Sequence, residues 1–344
     1  MQRPDLIITP KIILPRLVVR ERIPPPAKVG MTLEPQTMHW QIIGPDGRVV
    51  READQACHNL VLDNAKELVA TLGLFEQSEW AVIGTGSTAP NPSQTGLVNE
   101  RARTNQTGGP TDSTTEVSTG VWEITRYRQF TAAQVGGQNL TEWGFSGSGT
   151  AGNNLMSREL FRDGSNNPVT LTLDSDQQLR LIYKVRVTVG PTTPQTASMN
   201  ITGIGNRTGQ FVLQQRIITG AHGYNANPVQ GLSSFARAAN PPKWIYGFQR
   251  RTLGYGDAFW DINNMVDFAG AYEAYTANSQ NRKMSPAVRS VTEVNGTIVG
   301  IGMNENHAIT GPYPRMYFQF DVGQEITKDN LHELTIAGFE ISWT

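Results

Sequence analysis

A stretch near the middle of the chain sets charged residues among apolar and glycine-rich neighbours. The segment NLTEWGFSGSGTAGNNLMSRELFRDGSNNPVTL, residues 139–171, contains Glu142, Arg158, Glu159, Arg162 and Asp163. A carboxylate near a guanidinium in an apolar setting is one arrangement of a general acid–base site. The same charges can instead balance one another across neighbouring strands or subunits and fix register. We favour this scaffold interpretation. The residues expected to fill the core around the charges are Phe145, Leu155, Leu160 and Phe161.

A glycine-rich segment matches the dinucleotide-binding fingerprint. Residues 84–89, GTGSTA, fit G-x-G-x-x-G/A and follow a predicted strand. The mechanism requires the N-terminus of a helix, whose free N–H groups bind the pyrophosphate. Pro90 and Pro92 follow at once, so we expect no helix to start there. The segment therefore predicts a tight turn, with no nucleotide and no other cofactor.

The histidines and the cysteine lack the spacing of a metal or nucleophile site. None of the 5 histidines forms the H-x-x-x-H pattern typical of zinc ligands. The single Cys57 excludes an intrachain disulfide and a multi-cysteine metal site. The segment FSGSGTAG lacks the strand-to-helix context of a serine nucleophile. We predict no catalytic residue, no metal ligand and no enzyme activity; a metal site assembled from residues distant in the sequence stays open.

Aromatic residues are concentrated beside carboxylates between residues 240 and 270. Such residues can stack on sugar rings, although they more often form a packed core or a subunit interface. We treat four of them as candidate receptor or interface residues, with a host-surface glycan as a candidate partner. They are Trp244, Tyr246, Phe259 and Trp260.

The overall composition narrows the class of protein. The 344 residues carry 29 basic and 30 acidic side chains, and this balance does not predict a nucleic-acid partner. No apolar run approaches the length needed to cross a bilayer, and prolines and charges interrupt the N-terminal apolar patches, so we expect neither a membrane partner nor a signal peptide. With 34 glycines and 20 prolines, strands and turns are favoured over helices.

Periodicity predicts the main elements. In residues 179–189, LRLIYKVRVTV, apolar and polar residues alternate as in an antiparallel sheet with one solvated face, so Leu181, Tyr183 and Val185 should point inward. Residues 39–50 predict a hairpin, and residues 59–72 predict one helix. The polar tract at 92–119 is expected to be a long loop.

The first 30 residues predict an extended arm, because prolines separate short apolar patches and prevent a helix. The arm either folds back over its own domain or lies across a neighbouring subunit, and we favour the second arrangement. Its apolar anchors are Leu6, Ile7, Ile8, Ile12, Ile13, Leu14, Leu17, Val18 and Val19.

Together these features predict a mainly β protein, an antiparallel β-sandwich with one short helix. After the arm at 1–30, residues 31–204 should form the sandwich with its helix. Residues 205–300 are expected to be a long, irregular, aromatic-rich insertion. The strands in 301–344 should complete the sandwich.

Several segments resemble tail-associated virion proteins of bacteriophages, of the tail-fibre and collar type. The residues that carry the resemblance are NLTEWGF, a glycine-rich break, NLMSRELFRD and VTLTL, preceded by NLVLDNAKELVATLG and WAVIGTGSTAPNPSQTGLVNE and followed by NLHELTIAGFEISW. The similarity spans roughly residues 40–190 and 312–344.

The resemblance implies a structural protein of the virion, made in the host cytoplasm and located in the tail as a fibre, collar or fibre-anchoring subunit. Its partners would be copies of itself and other virion proteins. A capsid decoration or cement protein, and a carbohydrate-binding host-recognition module, stay open as alternatives.

Overall fold

The computed structural model describes residues 16–18, 30–34, 37–74, 76–152, 154–201, 205–214, 232, 236–237, 242–250, 253, 265–305, 315–336 and 340–344. In the first half of the chain the elements are β1 (Arg16–Val18), β2 (Gly30–Glu34), β3 (Thr37–Ile43), β4 (Val49–Glu52), β5 (Cys57–His58), β6 (Leu60–Val61), α1 (Asp63–Leu72), a 3-10 helix (Glu76–Ser78), β7 (Trp80–Gly84), β8 (Glu100–Thr104), β9 (Ser113–Ser118), β10 (Val121–Phe130), α2 (Ala132–Val135), β11 (Asn139–Leu140), β12 (Glu142–Ser146), β13 (Leu155–Leu160) and β14 (Leu171–Thr172).

In the second half they are β15 (Gln178–Gly190), β16 (Gln195–Ile201), β17 (Gly205–Gln214), β18 (Pro242–Gly247), β19 (Met265–Ala269), β20 (Asn281–Lys283), β21 (Ala287–Arg289), β22 (Gly296–Ile298), β23 (Gly300–Glu305), β24 (Arg315–Phe320), β25 (Ile326–Lys328), β26 (Glu333–Ile336) and β27 (Glu340–Trp343). The predicted mainly β class with antiparallel sheets is confirmed.

Three larger sheets organise the described residues. A nine-stranded sheet runs β20-β27-β2-β15-β10-β9, with β3 also paired to β15 and carrying β4 and β5. A five-stranded sheet has the order β6-β13-β12-β7-β8, and a six-stranded sheet has the order β16-β17-β24-β23-β18-β19. Smaller sheets are β1-β26-β21, β11-β14 and β22-β25.

The nine-stranded and five-stranded sheets pack face to face as a β-sandwich. Strand β15 alternates buried and half-buried residues along its length, and Leu181, Tyr183 and Val185 are buried as predicted. Tyr183 stacks on Phe145 of the opposite sheet with ring centroids 4.1 Å apart. The six-stranded sheet adds buried residues such as Trp244 and Phe318 to the same core.

The predicted hairpin and helix are present with adjusted bounds. Strands β3 and β4 flank a turn in which Gly47 has a φ of 78° and donates its N–H to Gly44 O, as the Pro45-Asp46-Gly47 signal predicted. Helix α1 ends before Gly73, also at positive φ. It begins at residue 63 rather than 59, because β6 pairs with β13 and draws the preceding residues into a sheet.

Two segments are more regular than expected. The tract at 92–119 contains β8, paired with β7, and β9, paired with β10, so the long-loop prediction is wrong there. Both strands are polar, and pairing to a neighbouring strand overrides their weak intrinsic signal. In the predicted irregular region 205–300, the described residues include β17 to β22 and the start of β23.

Strands near the two ends of the sequence join the same framework. β27 pairs with β2 and β20 in the nine-stranded sheet, and β24 lies between β17 and β23 in the six-stranded sheet. The Trp343 Nε1–H donates to Lys66 O at 2.7 Å, which ties β27 to helix α1. Arg282 donates to Ala70 O at 3.2 Å near the end of that helix, where a cation complements the helix dipole.

Candidate functional site

Glu142 and Arg158 form a fully buried ion pair in the five-stranded sheet. Glu142 begins β12 and Arg158 lies in the adjacent strand β13. Both side chains are 0% exposed, and the Arg158 Nε donates to a Glu142 oxygen at 2.9 Å. Charges in such a setting are tolerated only when paired and hydrogen-bonded.

The ion pair organises the loop between β7 and β8. The Glu142 carboxylate accepts hydrogen bonds from the backbone N–H groups of Gly86 at 2.8 Å, Val98 at 3.1 Å and Asn99 at 2.8 Å. Arg158 donates from the other side to Thr88 O at 2.8 Å and to the Gln94 side chain at 2.7 Å. The Glu142 carboxylate thus accepts hydrogen bonds from four donors, and all four belong to this chain.

The GTGSTA segment lies against the Glu142 carboxylate of the same chain, which accepts the Gly86 N–H. Gly84 is the last residue of β7, and residues 85–87 continue without the predicted turn. A Cβ atom on Gly86 would lie 2.4 Å from a Glu142 oxygen, and one on Gly84 would lie 2.6 Å from the same oxygen. The two glycines are therefore required by the close approach of the Glu142 carboxylate.

The other three charged residues of the opening stretch lie apart from this pair. Side chains of adjacent strand residues point to opposite faces, and Glu159 pairs with Arg162 at 2.9 Å. Asp163 accepts the N–H groups of Ser165 and Asn167 in a turn. The five residues therefore do not form one catalytic cluster. The apolar residues predicted around them, Phe145, Leu155, Leu160 and Phe161, are buried.

A second charged group lines a recess at the edge of the sandwich. Arg126 and Arg128 of β10 share Asp112, with nitrogen–oxygen distances of 3.0 and 2.9 Å. Arg128 also donates to Glu79 O, and Arg126 donates to Ser78 Oγ at 3.1 Å. The recess has a volume of about 380 Å³. Its lining residues are Glu76, Glu79, Asn105, Thr107, Asp112, Arg126 and Arg128.

The electrostatics of the recess follow from burial and pairing. Burial alone would raise the pKa of Asp112, but hydrogen bonds from Arg128 and the Tyr127 N–H, with the charges of both arginines, hold that pKa below its ordinary value. Burial lowers the pKa of Arg126, partly offset by Asp112. The two guanidinium groups are thus used to hold β10 against the segment containing Ser78 and Glu79.

Sequence reasoning missed this group, although a signal was present. With period 2, VWEITRYRQF places Trp122, Ile124, Arg126, Arg128 and Phe130 on one face. Two arginines on the face of three large apolar residues indicate buried cations that need an acceptor. The sequence does not identify the acceptor, because Asp112 lies outside β10, in the segment between β8 and β9.

We expect the contribution of Asp112 to stability to depend on pH. Because its folded pKa is depressed, the contribution is present above the unfolded value of about 3.9 and is lost as pH falls through the folded value. Urea unfolding of wild type and Asp112→Asn from neutral to acidic pH measures this. The difference in unfolding free energy should be largest near neutrality and shrink in acid. A constant difference across that range would contradict the assignment.

The candidate receptor aromatics fall into two groups. Trp244 and Tyr246 are both 0% exposed in the core of the six-stranded sheet, so within this chain they are packing residues and not a binding surface. Phe259 and Trp260 lie outside the described residues.

The arm residues are described only in part. Leu17 and Val18 belong to β1, which pairs in parallel with β26 of the same chain. The other anchors, Leu6, Ile7, Ile8, Ile12, Ile13, Leu14 and Val19, lie outside the described residues. Contact of the arm with another subunit stays a prediction.

The remaining candidates for chemistry within the described ranges are metal-ligating side chains and the Cys57 thiol. No group of three or more His, Cys, Asp or Glu residues there could hold a metal ion. Cys57 is buried, its thiol contacts Arg162 O at 3.6 Å, and burial raises its pKa. None of the described helices has the length and apolar character of a membrane span.

No protein-family model, no curated protein and no solved structure matches this chain. The resemblance to phage tail proteins therefore stays a prediction from the sequence.

Proposed function

We propose that the chain is a structural protein of a bacteriophage virion, a tail component that acts through oligomeric assembly. The observation that carries this proposal is the use of buried charges to hold the protein's own backbone. Glu142 and Arg158 hold the loop between β7 and β8, with no side-chain surface left for a substrate.

Arg103 likewise holds the loop between β12 and β13. It is bound to Glu100 at 2.6 Å and donates to Ser148 O at 2.8 Å and to the Asn154 side chain at 2.9 Å. Buried ion pairs of this kind fix one conformation of the backbone more than they raise the free energy of unfolding.

Open strand edges support an assembly role. Among the described residues, β4 pairs only with β3, and all four of its side chains are exposed, including Val49 and Val50. Strand β9 is likewise an edge and exposes Val117. Unpaired edges with exposed β-branched residues are suited to pairing with another chain.

The glycan-binding alternative is weakened by the burial of Trp244 and Tyr246, and it now depends on Phe259 and Trp260. The capsid decoration alternative shares the arm and the open edges. It differs from a tail role only in its place in the particle.

Deleting residues 1–26 should leave the β-sandwich folded and weaken assembly. The deletion removes β1, a three-residue strand at the edge of its sheet, so the melting temperature should change little. Sedimentation velocity of the full chain should show a homo-oligomer, and the truncated chain should shift toward the monomer. A strictly monomeric full chain would contradict the proposal. A truncated chain that fails to fold would place the arm in its own core.

A further inference from the structure

The small sheet β22-β25 brings a lysine amine against an asparagine side chain. Lys328, at the end of β25, is only 1% exposed and lies opposite Gly296 in the strand register. Its Nζ is 2.9 Å from Asn295 Oδ1. Nζ also donates to Asp329 O at 3.3 Å. The hydrogen bond to Oδ1 places the lysine amine beside the side-chain amide of Asn295.

A hydrogen bond orients the Asn295 side chain, and the residue before it has an unusual backbone conformation. Val294 has a φ of 56°, a conformation that is a clear outlier for a β-branched residue and persists only where the surroundings enforce it. The Asn295 Nδ2 donates to Val291 O at 3.0 Å, which turns Oδ1 toward Lys328. Asn295 itself is exposed, so a small leaving group has a direct path to solvent.

The surroundings favour a reactive amine. Burial lowers the pKa of Lys328 below its ordinary value, against the opposing charges of Asp329, Glu293 and Glu333. A desolvated lysine with a lowered pKa is a recognised nucleophile.

We propose that Lys328 and Asn295 form an intramolecular isopeptide bond. The neutral Nζ attacks Cγ of Asn295, the Nζ–Cγ bond forms and the Cγ–Nδ2 bond breaks. Nδ2 takes a proton that Nζ loses and leaves as ammonia. The step is an amide exchange that needs no oxidant and no further reactant.

The bond would fasten β22 to β25 covalently across 33 positions of the sequence. A cross-link of this kind constrains the unfolded chain as a disulfide does, in a protein whose only cysteine is Cys57. The bond would form whether or not the chain belongs to a virion.

Intact-mass spectrometry of the purified full chain tests the reaction after incubation at alkaline pH, which favours the neutral amine. The wild-type chain should be lighter than its sequence mass by one ammonia, and Lys328→Arg should keep its full mass. A wild-type chain of unchanged mass would overturn the proposal. A loss that persists in Lys328→Arg would overturn it too, because it would come from succinimide formation at Asn295-Gly296.

A tryptic map of the wild-type chain shows whether the isopeptide bond exists, even if the variant does not fold. Cleavage at Arg289 and Arg315 releases residues 290–315, and Lys328 is the only cleavage site in residues 316–344. The cross-link should block cleavage at Lys328 and join these two peptides in one species. Separate peptides, with Lys328 cleaved, would show that no isopeptide bond exists.

Discussion

Replacing Arg158 with methionine should lower the free energy of unfolding by about 3–5 kcal/mol, the usual cost of leaving one partner of a buried ion pair uncompensated. Glu142 would remain fully buried with its negative charge facing an apolar side chain. The Arg158 contacts to Thr88 O and Gln94 would also be lost. Urea unfolding followed by circular dichroism measures the effect.

Arg48→Met provides the matched control. Arg48 also faces a carboxylate, Asp46 at 3.7 Å, but its side chain is 86% exposed. Exposed pairs contribute about 0–1 kcal/mol, so this variant should unfold almost as wild type does. If Arg158→Met costs no more than Arg48→Met, the buried pair does not hold the fold.

The double variant Glu142→Gln with Arg158→Met separates two roles of the carboxylate. If Glu142 served only to neutralise Arg158, removing both charges would restore most of the stability. Because the carboxylate also accepts three backbone N–H groups, we expect recovery to be incomplete. Full recovery would contradict its role in holding the loop.

Val185→Asp should destabilise the fold by several kcal/mol, about the cost of burying an unpaired charge. Val185 is 1% exposed in the core between the two sheets of the sandwich. Its neighbours on the same face, Leu181 and Tyr183, are buried as well. The melting temperature and the urea midpoint should both fall, or the variant should be recovered only as aggregate.

The same substitution at Val50 is the control for Val185→Asp. Val50 lies in β4, is 55% exposed, and should tolerate aspartate within about 0.5 kcal/mol. An unchanged melting profile for Val185→Asp would show that the inward face of β15 is assigned wrongly.

The sequence predicted best the elements whose pattern is local. Strand β15 alternates over its whole length, the Pro45-Asp46-Gly47 turn determines its hairpin, and Gly73 ends the helix by adopting positive φ. Each of these signals lies within a dozen residues and depends on no distant partner.

The parts that could not be predicted depend on pairing between distant segments. Strands β8 and β9 are polar and form because β7 and β10 offer them free edges. The backbone N–H groups that donate to Glu142 come from residues 43 to 56 positions away. The carboxylate that pairs with Arg126 and Arg128, Asp112, lies in the segment between β8 and β9. Such charge pairs depend on how distant strands pair in the fold, and composition and periodicity carry no information about that pairing.

The proposal of a virion role is tested most directly by locating the chain in purified phage particles. Mass spectrometry of the particles, followed by antibody labelling and electron microscopy, should find the chain as a stoichiometric component with the label on the tail. Label on the capsid would favour the decoration alternative. Absence of the chain from purified particles, with all of it free in the lysate, would contradict the proposed function.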